Sequence, residues 1–221
     1  MAESEHLKDF KAVWGDSCQS MWAELLALTI SEAHITANYT AIPKDELLTD
    51  LFYVPKLRSR LNDLKKDTFL ERVNTYRQAV ITNRLVVLSA SFETYLSNFF
   101  DAFIKTKPKY WNSAAATRTT AGDKLFGEIT KQRGLDNKIL KFAELAPAKI
   151  KSIDSKLSYL VDVYMLRNVL AHRAGLLDAT AATSLTHIKC SPGERVSITT
   201  DQLLLLAAPV IKIAESLDQK I

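Results

Sequence analysis

Glycine, cysteine and long apolar runs are all scarce in this chain, and each scarcity removes a class of function. Six glycines in 221 residues are too few and too dispersed for a phosphate cradle, and neither GxGxxG nor GxxxxGK occurs. Nucleotide-cofactor chemistry therefore has no motif to rest on. The two cysteines, Cys18 and Cys190, stand near opposite ends of the chain with no CxxC pair, and both read as buried thiols. His6, His34, His172 and His187 are equally scattered. Without an HExxH or HxH to bring two of them onto one helical face, no metal and no other cofactor is expected. The longest apolar runs, such as Leu203 to Ala208, fall far below the roughly eighteen residues needed to cross a bilayer. The opening stretch MAESEHLKDFKAVW lacks the basic start and apolar core of a secretory signal. The expectation is a cytoplasmic protein with no membrane partner.

Composition is otherwise that of a globular protein, with 47% hydrophobic and 24% charged residues. The length suits one sizeable domain spanning residues 1–221. A formal charge of +4 is a mild basic excess that permits RNA without requiring it.

Helical periodicity dominates the pattern. Phe10, Val13, Trp14, Met21, Leu25, Leu28 and Ile35 recur at three- and four-residue steps, which predicts a helix over about 7–38, broken at Ala41-Ile42-Pro43. A second helical stretch is expected over about 44–66, interrupted near Tyr53-Val54-Pro55. The third and longest, about 69–106, has a middle that is apolar on nearly every side, as befits the centre of a bundle or a subunit interface. A polar loop is expected at 112–122, with shorter helices at 123–133 and 136–144. Pro147 separates these from a helix over about 152–174, which Gly175 can cap. Strand-like runs at 186–189 and 195–198 flank the turn-rich 190–194, so a small hairpin is expected before the closing helix. That helix has Thr199 or Thr200 as its N-cap and Pro209 as a kink. The fold class is all-α with one small hairpin.

The stretch with chemical potential lies on the helix SKLSYLVDVYMLRNVLAHRAG. At about 100° per residue, Ile153, Leu157, Leu160, Tyr164 and Ala171 form one stripe, expected to face the core. With Tyr164 at zero, Arg167 lies roughly 60° to one side, and Asn168 and His172 lie roughly 40° and 80° to the other. Val163, Met165, Leu166, Val169 and Leu170 cover most of the rest, so Arg167 and His172 are expected to be buried. A buried guanidinium needs a carboxylate, carbonyls or an anionic ligand, and phosphate meets that need. Asn168 and His172, four apart, share a face, so the amide can hold the imidazole in one orientation.

Arg167-Asn168-Val169-Leu170-Ala171-His172 resembles the HEPN signature, an Arg and a polar residue followed after three positions by a His. Ala90-Ser91-Phe92-Glu93-Thr94-Tyr95-Leu96 resembles the corresponding helix of the RiboL-PSP branch of that superfamily, and Gly193 to Leu203 resembles its hairpin and final helix. The similarity covers roughly 80–221, leaving 1–70 as a helical extension of unassigned role. The resemblance implies a HEPN-type helical bundle that dimerises so that two motifs meet at the interface, and metal-independent RNA cleavage in active members. His172 would then act as general base or acid on the ribose 2′-hydroxyl and the leaving oxygen, leaving a 2′,3′-cyclic phosphate. Arg167 would hold the scissile phosphate and Asn168 would orient the histidine. RNA is required, because DNA lacks the attacking hydroxyl. The resemblance also suggests a toxin or an effector of antiphage defence, with a cognate antitoxin or defence-system partner.

Further candidates are weaker. Arg173 projects away from the trio and reads as a helix C-terminal cation or a phosphate contact. Lys105, Lys107 and Lys109, with Tyr110 and Trp111, read as a solvated helix end or an RNA contact. Glu93 reads as an ion-pair partner, and a structural polar network bridging Arg167, Asn168 and His172 to Glu93 is the blander account of the trio. The competing function is a non-catalytic HEPN module that binds RNA or another protein.

Overall fold

The recurrence that begins at Phe10 folds as α1, Glu5–Ala37, in the computed structural model, which describes residues 3–51, 64–106, 127–145 and 156–219. Among these residues the further helices are α2 (Leu48–Leu51), α3 (Lys66–Thr106), α4 (Leu135–Leu145), α5 (Leu157–His172), α6 (Ala179–Ser184) and α7 (Thr200–Asp218). The all-α class is as expected. None of these helices is long and apolar enough to cross a membrane. The chain divides into two compact units, residues 1–17 with 82–221, and residues 18–81.

In the smaller unit, Ile35, Leu48, Phe69 and Val73 form a core flanked by Leu28, Leu51, Leu64, Leu70 and Tyr76. Of the helix expected over 44–66, the described residues hold the turn α2, with 44–47 and 64–65 outside any helix, and 52–63 lie outside the described residues. Leu47 pairs instead with Lys65 in an isolated antiparallel bridge, and Leu48 N–H donates to Leu64 O at 3.0 Å. The proposed break at 53–55 lies outside the described residues. Lys66 opens α3 almost wholly buried, its ammonium donating to Ile42 O at 2.6 Å and Tyr39 O at 3.0 Å and lying 3.8 Å from the Tyr39 ring centre. Carbonyls of the turns that follow α1 thus satisfy a charge that would otherwise be costly to bury.

In the larger unit, α3 places Phe92, Tyr95, Phe99, Phe100 and Phe103 in a buried aromatic row. Phe142 of α4 meets Phe100 at 4.8 Å and Phe103 at 4.9 Å between ring centres, and Phe10 of α1 meets Phe92 and Tyr95 at 5.7 Å. Offset and edge contacts of this kind add to the stabilisation from burial alone. Tyr95 OH donates to Ala214 O at 2.8 Å, tying α3 to α7, and burial raises its phenol well above the usual range. The closing helix α7 starts at a capping box in which Thr199 Oγ1 accepts from Gln202 N–H and Gln202 Oε1 accepts from Thr199 N–H. It carries Pro209 in its interior and buries Leu203, Leu206, Val210, Ile213 and Leu217. Helix α5 packs on α4, α6 and α7.

The hairpin expected between 186–189 and 195–198 does not form, and the described residues contain no strand. Arg195 pairs with Leu176 in a lone antiparallel bridge, with Val196 N–H donating to Gly175 O at 2.8 Å and Gly193 N–H to Leu177 O at 2.7 Å. The physical reason lies on α5. Both oxygens of the fully buried Asp162 accept from the backbone of the other run, from Thr186 N–H at 2.9 Å and His187 N–H at 2.7 Å. Donors committed to a carboxylate cannot also serve a strand ladder. The loop expected at 112–122 lies outside the described residues, as do 123–126 and 151–155.

Candidate active site

The trio sits in the last two turns of α5, where the helix ends because the backbone turns left-handed at Ala174 (φ 50°) and Gly175 (φ 79°). Arg173 N–H and Gly175 N–H both donate to Val169 O, at 3.0 and 3.1 Å, closing the end as glycine's freedom at positive φ allows. His172 is therefore the final residue of the helix, beside a C-terminus that favours positive charge.

The expectation of burial fails here. His172 is exposed, and Arg167 and Asn168 are half-buried. The side that packs inward carries Asp162, Val163, Leu166 and Val169 with Leu160 at its edge, whereas of the stripe assigned to the core Leu157 and Tyr164 are half-buried and Ala171 is exposed. A helix apolar nearly all round offers no weak side from which orientation can be read, so the choice fell to packing against α4, α6 and α7. The consequence is favourable to chemistry, because the polar groups open outward beside a half-buried apolar strip of Leu157, Val161, Tyr164 and Met165.

Within the trio the wiring also differs from expectation. Arg167 Nη1 donates to Asn168 Oδ1 at 3.0 Å, so the amide steadies the guanidinium and not the imidazole. An Arg fork held in this way keeps its remaining donors for an oxyanion. Glu93 does not bridge to the trio. Its carboxylate pairs with Lys138 of α4. Arg173 is engaged by Asp178, whose other oxygen caps α6 by accepting from Ala181 N–H at 2.7 Å. The pair is exposed, as expected of a helix C-terminal cation. Lys105 falls in the last turn of α3, and Lys107 and Lys109 lie outside the described residues, as do Tyr110 and Trp111. A cavity of about 360 Å³ between α1 and α3, lined by His6, Asp9, Phe10, Ser91 and Tyr95 among others, includes none of the trio.

Neither Cys18 nor Cys190 is in a disulfide among the described residues, and both are half-buried where full burial was expected. Desolvation, then the Glu194 and Asp162 carboxylates, push the Cys190 thiol up, which keeps it protonated and unreactive near neutral pH. Among the described residues no cluster of three or more His, Cys, Asp or Glu is placed to hold a metal ion.

At the other end of α5 stands a group that the sequence alone did not single out. Ser158 Oγ lies 2.9 Å from His187 Nε2, and the Tyr159 and His187 rings stack with centres 3.5 Å apart and planes 7° apart. Asp162, one turn on, clamps the backbone at 186 and 187. The available signal was Asp162 itself, an acid in the run LSYLVDVYML where every nearby side chain is apolar or weakly polar. Such a carboxylate must find donors when buried.

Protein-family models, curated proteins and solved structures were compared with the chain, and none matches it.

Proposed function

We propose that this chain is a metal-independent endoribonuclease of HEPN type that cleaves RNA by attack of a ribose 2′-hydroxyl on the adjacent phosphorus. The supporting observation is the open end of α5, where an exposed imidazole and an Arg fork steadied by a neighbouring amide occupy the last two turns of the helix. In the step this reading assigns, the 2′-oxygen bonds to phosphorus and gives its proton to a histidine. The bond to the 5′-oxygen breaks, and that oxygen takes a proton from a second acid. One His172 cannot do both at once, so the reading calls for a homodimer in which two copies of the motif face one substrate. Arg167 stabilises the extra negative charge on the phosphoryl oxygens, and Asn168 fixes the Arg167 fork. The half-buried apolar strip beside the trio suits a subunit interface. On this reading the protein works in the cytoplasm as a toxin or antiphage effector, with an antitoxin or defence-system partner.

The test compares wild type, Arg167→Ala and His172→Ala on single-stranded RNA in EDTA, with the product ends analysed for 2′,3′-cyclic phosphate. Cleavage by wild type alone is expected. Equal cleavage by all three overturns the proposal. Absence of cleavage by wild type, with RNA or a protein partner still bound, gives the non-catalytic module instead.

A further inference from the structure

We infer that Tyr159 and His187 form a stacking subsite for a base of single-stranded RNA, well separated along α5 from the cleavage centre. The inference rests on the ribonuclease reading for the identity of its ligand and extends it to a second point of contact.

The geometry is that of a ring held for contact. Three residues from little more than one turn of α5 fix His187: Ser158 engages Nε2 at 2.9 Å, Tyr159 covers one ring face at 3.5 Å, and Asp162 accepts the His187 N–H at 2.7 Å. Yet Ser158, Tyr159 and His187 are all only half-buried, so the fold commits a fully buried carboxylate to positioning a ring pair that still reaches solvent. Pre-stacked aromatics lose little freedom when a further planar ring joins them, which is how bases are gripped without sequence preference. Charge agrees with the choice of ligand. The exposed Lys189 follows His187 by two residues. A cation close in sequence to the stacking pair suits the anionic backbone of a nucleic acid.

Placement connects this group with the trio. Ser158, Met165 and His172 are spaced by seven residues and lie within about 40° of one another on α5. Fourteen residues separate the ends, about 21 Å along the axis. At about 3.4 Å per stacked nucleotide, this corresponds to no more than about six nucleotides. A strand cut at His172 can therefore reach His187 only if it is longer than a few nucleotides.

The experiment measures binding of fluorescein-labelled 2′-O-methyl oligoribonucleotides, which cannot be cleaved, to the full chain by anisotropy. Wild type is expected to gain affinity stepwise as the oligonucleotide grows from three to about eight nucleotides. His187→Ala and Tyr159→Ala should bind the longest of these probes about tenfold more weakly, the effect of losing one stacked base. His187→Phe, which keeps a ring, should restore most of it, and the trinucleotide should bind all variants alike. A flat length dependence in wild type overturns the inference without reference to any variant, and so does full-strength binding of the long probe by a folded His187→Ala. The outcomes separate the two proposals. A length step without cleavage of ordinary RNA removes only the nuclease, and cleavage with an unchanged His187→Ala affinity removes only the subsite.

Discussion

The two ends of α5 handle polar groups in opposite ways. At the N-terminal end the named polar groups are held by the fold: Asp162 takes two backbone N–H groups, and Ser158 and Tyr159 hold the His187 ring. At the C-terminal end Arg167 bonds, among the described residues, to the adjacent Asn168 alone, and His172 is exposed. Both ends stand on the same helix, in nearly the same apolar surroundings. The lesson is that the apolar pattern of a helix sets how much of it is covered, and the second partner of each polar side chain decides whether that group serves the fold or remains available. Asp162 has such partners and is structural. His172 has none among the described residues and is exposed, as the proposed role in cleavage requires.

This contrast breaks most readily at its C-terminal end. His172→Ala and Arg167→Ala should each lower RNA cleavage by about 10²-fold or more, in the range of general acid–base and oxyanion contributions. Thermal unfolding of His172→Ala should nonetheless stay within a degree or two of wild type, since it removes an exposed group with little packing, and half-buried Arg167→Ala should cost only slightly more. A large fall in the melting temperature of His172→Ala would mean that the exposed end is part of the framework after all. The N-terminal end should give the reverse result. Asp162→Ala removes the acceptor of two charge-assisted hydrogen bonds and leaves the Thr186 and His187 N–H groups without it. Denaturant unfolding should show a loss of about 3 kcal/mol. Asp162→Asn, which keeps one acceptor, should lose about half as much. Chemical denaturation of the two variants side by side checks this, and equal stability of Asp162→Ala and wild type would dissolve the distinction between the ends.

The sequence made the helices legible where apolar spacing had a weak side. The runs built on Phe10 and Trp14, on Ile139 and Phe142, and on Leu203, Leu206 and Val210 all bury those residues as the period requires. The inward face of α5 was not legible, because Leu157, Tyr164, Leu166 and Val169 offer packing on every side and only the neighbouring helices choose among them. The hairpin was misread because alternation in 186–189 says nothing about a carboxylate 24 residues earlier that takes the Thr186 N–H. The two ends of the helix expected over 44–66 were misread for a related reason: Leu47 and Lys65 pair across the chain, a non-local choice that helical periodicity cannot register. Of the candidate site, the local grouping of Arg167, Asn168 and His172 on one helix end was visible from spacing. The direction of the Asn168 bond, the Glu93–Lys138 pair and the Arg173–Asp178 pair depended on which partners the fold supplied.

The smallest effect concerns what holds the open end in place. Ala174 adopts φ 50°, a conformation that costs an alanine about 1–2 kcal/mol and a glycine almost nothing. Glycine loses more freedom on folding, by about 0.5–1 kcal/mol, so Ala174→Gly should leave a net gain of about 0.5 kcal/mol. In a chain of this size that is about 1–2 °C in Tm. Cleavage should stay at the wild-type level if the two hydrogen bonds that Val169 O accepts, from Arg173 and Gly175, are what set the end of α5. If the variant instead gains stability and loses cleavage, the strained turn itself positions His172. The C-terminal end would then carry a framework of its own, and the contrast between the two ends would narrow to the side chains alone.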